Sequence, residues 1–241
     1  LLVISLMAGC DSVMWNNPHA PAEFGKKVMY REFTSPPKHL DPIRSYNRDE
    51  ATLIDQIYEP PLEYHYLKRP YVLEPLTLAK LPEVEYFDDR GNLLPDLSTD
   101  PAFSRYTFRI KKGIKYQPHP AFSTKEDGAP YYAFETEEAA SAYKSFADFE
   151  RTGTKELIAD DYIYQIKRMA DPKLQFPIWD IVSQYIVGLK TLRGEIKQFR
   201  KENPEAWLNY SELPLEGIRK IDPYTFSITL NGIYPQFKYW L

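Results

Sequence analysis

Tyr106-Thr107-Phe108-Arg109-Ile110-Lys111-Lys112-Gly113-Ile114-Lys115-Tyr116 is the stretch that decides the fold class. Tyr106, Phe108 and Ile110 alternate with Thr107, Arg109 and Lys111, and this period of two predicts an amphipathic strand with one apolar face. On its N-terminal side, residues 83–87 read as a short strand, followed by turn chemistry in Asp88-Asp89-Arg90-Gly91-Asn92. Far downstream, residues 217–221, a turn at Asp222-Pro223 and a cleanly alternating run over 224–230 predict a hairpin. Residues 26–33, with Val28 and Tyr30 on one face, predict a further strand that Ser35-Pro36-Pro37 stops.

Between these strands the apolar spacing changes to that of helices. Asn47 with Glu50 three residues on forms a capping box. Ala51, Ile54, Ile57 and Tyr58 then mark one helix face, which Pro60-Pro61 ends. Residues 117–134 are loop-like, broken by Pro118, Pro120 and Pro130. Ala139, Ala142, Tyr143 and Phe146 predict a helix over 135–151, and a second spans 160–170, stopped by Asp171-Pro172. One long helix is expected through Trp179, Val182, Ile186, Leu189, Leu192, Ile196 and Phe199, closed by Asn203-Pro204. Strands and helices are interspersed and hairpins are present, so the class is α/β or α+β with a mixed sheet.

Composition excludes some functions. The chain has 241 residues and a net charge of −4, from 30 basic and 34 acidic side chains, with the basic ones scattered. That is not the electropositive footprint of a nucleic-acid binder. The 19 tyrosines suit sheet packing and also wet, permissive binding surfaces. No Gly-rich phosphate loop, zinc-protease helix or nucleophile elbow occurs. His19, His39, His65 and His119 lack ligand-like spacing, and no metal or cofactor is expected. Asp88-Asp89, Glu137-Glu138 and Asp160-Asp161 are adjacent carboxylates that diverge in direction, so they read as a turn and helix starts rather than acid/base pairs. No catalytic residue is assigned, and the protein is read as a non-enzyme.

Cys10 is the only cysteine, so no intrachain disulfide can form. It follows the apolar run Leu1-Leu2-Val3-Ile4-Ser5-Leu6-Met7-Ala8-Gly9, and polar sequence begins at Asp11-Ser12. The run resembles a bacterial lipobox, with Met7 where that motif usually has Leu; lipidation of Cys10 is the implication. The plain alternative is a buried N-terminal strand with a core thiol. On the lipobox reading, residues 1–25 are a truncated lipoprotein signal and a polar, proline-bearing tether.

Several segments, in order, resemble the peptide-binding family of bacterial extracellular solute-binding proteins (family 5) that serve ABC importers. They are a first strand leading to Leu40-Asp41-Pro42; Ile54-Asp55-Gln56-Ile57-Tyr58-Glu59; the strand and turn 106–116; Asp127-Gly128-Ala129-Pro130; Asp161-Tyr162-Ile163-Tyr164-Gln165-Ile166-Lys167-Arg168; and Ile218-Arg219-Lys220-Ile221-Asp222-Pro223-Tyr224-Thr225-Phe226. The resemblance covers about residues 26–241. It departs from the family pattern in an insertion near 132–157 and at Ile158, which stands where the family has a capping Thr, so that helix start needs another cap.

The resemblance implies a type II periplasmic binding protein-like bilobal fold, of which this chain would be the N-terminal portion with the second lobe missing. Residues 26–57 plus 215–241 would form part of a hinge-proximal lobe, and 58–214 an accessory subdomain. It implies a monomeric lipoprotein receptor, in the periplasm or on the outer face of the cytoplasmic membrane. Such a receptor captures oligopeptides or similar extended solutes and delivers them to a membrane permease. The residues after Leu-Asp-Pro, namely Ser45, Tyr46, Asn47 and Arg48, would line the ligand; alternatively they are a loop and helix cap. Some relatives place a carboxylate at the position of Tyr46 to receive the ligand's amino terminus. Two other readings stay open: an exported hydrolase of cell-wall peptides or glycans, and a non-transport receptor lipoprotein of the same fold.

Overall fold

The computed structural model describes residues 25–27, 32–95, 100–134 and 136–240. The chain forms two units, Leu1–Pro36 and Pro37–Leu241. Cys10, the segment 1–24 and residues 28–31 of the expected first strand lie outside the described residues, and those of its flanks that are described, 26–27 and 32–33, are not in strand.

Its elements, in chain order, are α1 (Arg48–Ile57), β1 (Leu62–Tyr64), β2 (Leu73–Pro75), β3 (Glu83–Phe87), β4 (Leu93–Leu94), β5 (Phe103–Arg109), α2 (Glu137–Ser141), α3 (Ala159–Arg168), α4 (Trp179–Tyr185), α5 (Leu189–Glu202), β6 (Ile218–Asp222) and β7 (Thr225–Asn231). The architecture is mixed α and β. The strands make a two-stranded sheet, β1-β2, and a five-stranded sheet ordered β4-β3-β5-β7-β6. Among the described residues every pairing is antiparallel, so the expected mixed sheet is corrected to an antiparallel one. The reason is topological: β3-β4 and β6-β7 are tight hairpins, and β5 receives β7 in the opposite sense along its whole length.

The period-two reading of 106–110 holds in burial. Ser104, Tyr106 and Phe108 face inward while their neighbours are half-exposed. Phe108 sits opposite Phe226 of β7, and their rings stack at 4.9 Å and 14°. Tyr162 of α3 lies over Phe226 at 5.8 Å and 21°, and its hydroxyl is 2.6 Å from the Thr77 hydroxyl. Three rings therefore join two central strands to α3. Burial pushes the Tyr162 phenol up to about 12.

Ile158 has no side chain able to cap α3. The missing cap comes from two other places: the Asp161 carboxylate accepts from the Ile158 amide at 3.0 Å, and the Pro223 carbonyl of the β6-β7 turn accepts from the Ala159 amide at 2.8 Å. The hairpin turn thus docks directly on a helix start.

The long helix expected over 179–199 is two helices. Between α4 and α5 the chain turns at Gly188, whose φ is 78°. Just before it, the Val187 amide donates to Thr229 at 3.1 Å and the Val187 carbonyl accepts from Gly217 at 3.0 Å. Pairing with the end of β7 therefore takes the backbone groups that a continuous helix would use. Gly217 is required by this contact, because a Cβ there would lie 2.5 Å from the Val187 carbonyl oxygen.

The helix expected over 135–151 is also corrected. Only α2 forms, with no buried residue among those described, followed by a 3-10 turn over Phe146–Asp148. The Ser145 hydroxyl accepts from Ala147, and the Asp148 carboxylate accepts the Lys144 and Ser145 amides at 2.7 Å each. That local capping starts a new turn and stops the old one. The aromatics gather instead into a cluster of their own: Tyr143 stacks on Phe149 at 4.5 Å, and Tyr132 meets Phe149 edge-on at 5.0 Å. The segment returns to the framework through a reciprocal backbone pair, His119 with Gly153, and through bonds from Tyr116 to Lys155 and from Leu157 to Ile114.

The core lies where α3, α4 and α5 pack with the inner face of β5 and β7. Ile163, Ile166, Leu189, Leu192 and Ile196 are all buried there with Phe108, Phe226, Ile228 and Leu230.

Candidate functional site

Asp41 organises the turn that carries residues 45–48. Its carbonyl accepts the Arg44 and Ser45 amides at 3.0 and 3.1 Å, and its carboxylate accepts the Ile43 amide at 3.2 Å. Ile43, 1% exposed, anchors the turn below. From the far end of α3, Arg168 closes a two-point ion pair on Asp41, with Nη2 to Oδ2 at 2.5 Å and Nη1 to Oδ1 at 3.3 Å. Gln165 holds the same guanidinium at 2.9 Å. A paired, planar contact of this kind fixes direction as well as distance.

The four predicted residues differ in what they do. Asn47 caps α1, its side-chain oxygen accepting from the Glu50 amide at 2.8 Å. Tyr46 is 80% exposed and Arg48 is exposed, so these two side chains stand outward from the pinned turn. Asn47 thus serves the helix start, while Tyr46 and Arg48 are open to solvent.

Glu50 does not complete the expected capping box. It is buried, and its Oε1 accepts the Lys38 and His39 amides at 2.8 and 3.1 Å. Burial raises its carboxyl, but the Lys38 amide, Ser45, the His39 amide and Asn47 outweigh it and hold the group down at about 2, from an ordinary 4.5. A folded-state value below the unfolded one means this carboxylate stabilises the fold above about pH 4.5 and loses that contribution as pH falls toward 2. Glu50→Gln is expected to lower stability at pH 7, with the gap to the parent protein closing as both are titrated from pH 4.5 to 2. Denaturant melts at stepped pH measure it, and a gap that stays constant contradicts it.

Sequence reasoning missed the roles of Glu50, Asp41 and Arg168. The only local signal for Glu50 was its spacing from Asn47, which pointed to the wrong partner. Nothing local links Asp41 to Arg168. Among the described residues no group of three or more His, Cys, Asp or Glu side chains is placed to hold a metal ion. Among the same residues no helix is long and apolar enough to cross a membrane. The chain matches no protein-family model and no curated protein.

Proposed function

We propose that this protein is the solute-capturing component of an ABC-type importer, a lipoprotein tethered through Cys10 that takes oligopeptides or similar extended solutes between two lobes. The observation that carries the reading is the turn at 41–48: it is locked from beneath by Arg168 and Ile43, yet presents Tyr46 and Arg48 to solvent. The ordered set of segments from Leu40-Asp41-Pro42 to the 218–226 hairpin supports it further.

The mechanism follows from the ligand's chemistry. An extended peptide offers unpaired N–H and C=O groups that strand edges can satisfy without reading side chains. Its side chains then occupy wet pockets in which bridging water replaces specific contacts. Tyr46 offers a flat ring and a hydroxyl; it brings no charge for a ligand's amino group. Arg48 does bring a charge, suited to a ligand carboxylate. Closure of the lobes about a hinge would then create the surface that the permease recognises.

Calorimetry of the protein tests this. Short peptide pools bearing a free carboxylate are expected to bind, and the same pools amidated at the C-terminus to bind about tenfold more weakly, the worth of one charge-assisted contact. Arg48→Ala removes that preference. Absence of any saturable heat with peptides overturns the reading.

A further inference from the structure

Helices α4 and α5 flank a wide-open cleft of about 570 Å³, lined by Trp179, Asp180, Ser183 and Gln184 from α4 and by Lys190, Arg193, Gly194 and Lys197 from α5. That is the size range of small-molecule sites. Lys190, Arg193 and Lys197 recur at spacings that place them along one side of α5. Three cations therefore meet a single carboxylate, Asp180, in one recess.

Two details set this cleft apart from an ordinary solvated basic face. The first is Arg193. Its guanidinium lies over the Trp179 ring at 4.1 Å, and its Nη1 is sequestered from solvent without any hydrogen-bond acceptor. The ring contact holds the guanidinium in place, so its charge is a fixed part of the cleft lining. The second is Gly194. Glycine in a helix interior is destabilising relative to alanine. Here no packing demands it: an added Cβ would meet nothing within 4 Å, and its φ is not in the left-handed region. What the missing side chain does provide is floor space between Lys190, Arg193 and Lys197.

We propose that the α4-α5 cleft is a binding site for a small polyanion, a molecule with two or more phosphate or carboxylate charges. Lys190 and Lys197 neutralise it from the rim, Arg193 adds a third positive charge at the wall, its guanidinium set over the Trp179 ring, and Gly194 leaves it room. The site shares no residue with 45–48 and stands independently of the importer reading.

Calorimetry of the whole chain with pyrophosphate and, separately, with tricarballylate distinguishes the phosphate and carboxylate sources. At least one is expected to bind saturably, and more weakly as salt is raised. The double variant Lys190→Ala/Lys197→Ala should weaken binding at least about tenfold, since each lost charge-assisted contact is worth that much. Gly194→Leu should abolish binding while raising the thermal midpoint, because it fills the floor and removes a helix-interior glycine. No saturable heat with either anion overturns the site, as does binding that survives either variant unchanged.

Discussion

Asp171→Ala is expected to destabilise the protein by about 3–5 kcal/mol, the cost of breaking a buried ion pair from one side. Asp171 is fully buried. Its carboxylate accepts from Arg200 Nη2 at 2.7 Å, from the Tyr210 hydroxyl at 2.6 Å and from the Lys173 amide at 2.8 Å. It thereby ties the chain just after α3 to the C-terminal half of α5 and to the short turn Tyr210–Glu212. Burial raises this carboxyl, but Tyr210, Arg200 and the Lys173 amide together hold it below its ordinary value. Alanine would leave a guanidinium, a phenol and an amide without their acceptor at once. Tyr210→Phe removes one bond only and should cost about 1 kcal/mol. Replacing both charges with apolar groups, as in Asp171→Leu/Arg200→Met, should recover much of the loss, because no stranded charge remains. Urea unfolding of the three variants decides it; equal destabilisation by Asp171→Ala and Tyr210→Phe would contradict the account.

Phe226→Ala should be comparably severe, at about 3–5 kcal/mol for a fully buried aromatic ring. Phe226 is 2% exposed and is the middle ring of three, with Phe108 on one side and Tyr162 on the other. Its removal opens a cavity and also separates α3 from the sheet. Phe226→Leu keeps apolar contact and should cost less. Near-ultraviolet circular dichroism adds a second readout, since the alanine variant should lose signal from the ordered Tyr162 ring, whereas an unaltered spectrum and midpoint would mean that the stack carries little.

The strands were legible because their pattern is local and binary. Tyr106 and Phe108 alternate with their neighbours in sequence and in burial, their β7 partners Phe226 and Ile228 alternate in sequence although Thr225 and Ser227 between them are buried too, and the Asp222-Pro223 turn marks where the hairpin reverses. Two helices were misread for different reasons. Over 135–151, alanines and aromatics at helical offsets also suit rings that pack on one another, and the restart signal Ser145-x-x-Asp148 was local enough to see. Over 179–199, the apolar period runs unbroken through Ile186 and Leu189, and Gly188 alone marks the break. What ends α4 is pairing of Val187 with Gly217 and Thr229, which no periodicity can announce.

The candidate site divides in the same way. Asn47 was readable as a cap because its acceptor and donor lie three residues apart. Arg168 and Asp41 are 127 residues apart, so their contact exists only once α3 has packed. Glu50 shows the limit most sharply: its residue type and position were right, and its partners were not, since Lys38 and His39 reach it across the chain reversal that Asp41 builds. The cleft between α4 and α5 is invisible to any reading that makes the two one helix.

The reciprocal pair between His119 and Gly153 bears on how this chain tolerates change. Residues hydrogen-bonded to each other in both directions stand only about 5.5 Å apart at their Cα atoms. Everything strung between them is a cassette whose ends already touch. Its length can drift at little thermodynamic cost, roughly 0.6 kcal/mol for each doubling of a flexible loop. The aromatic knot at 132–149 is held chiefly by its own ring contacts, so shortening or exchanging it costs mainly what those rings contribute to one another.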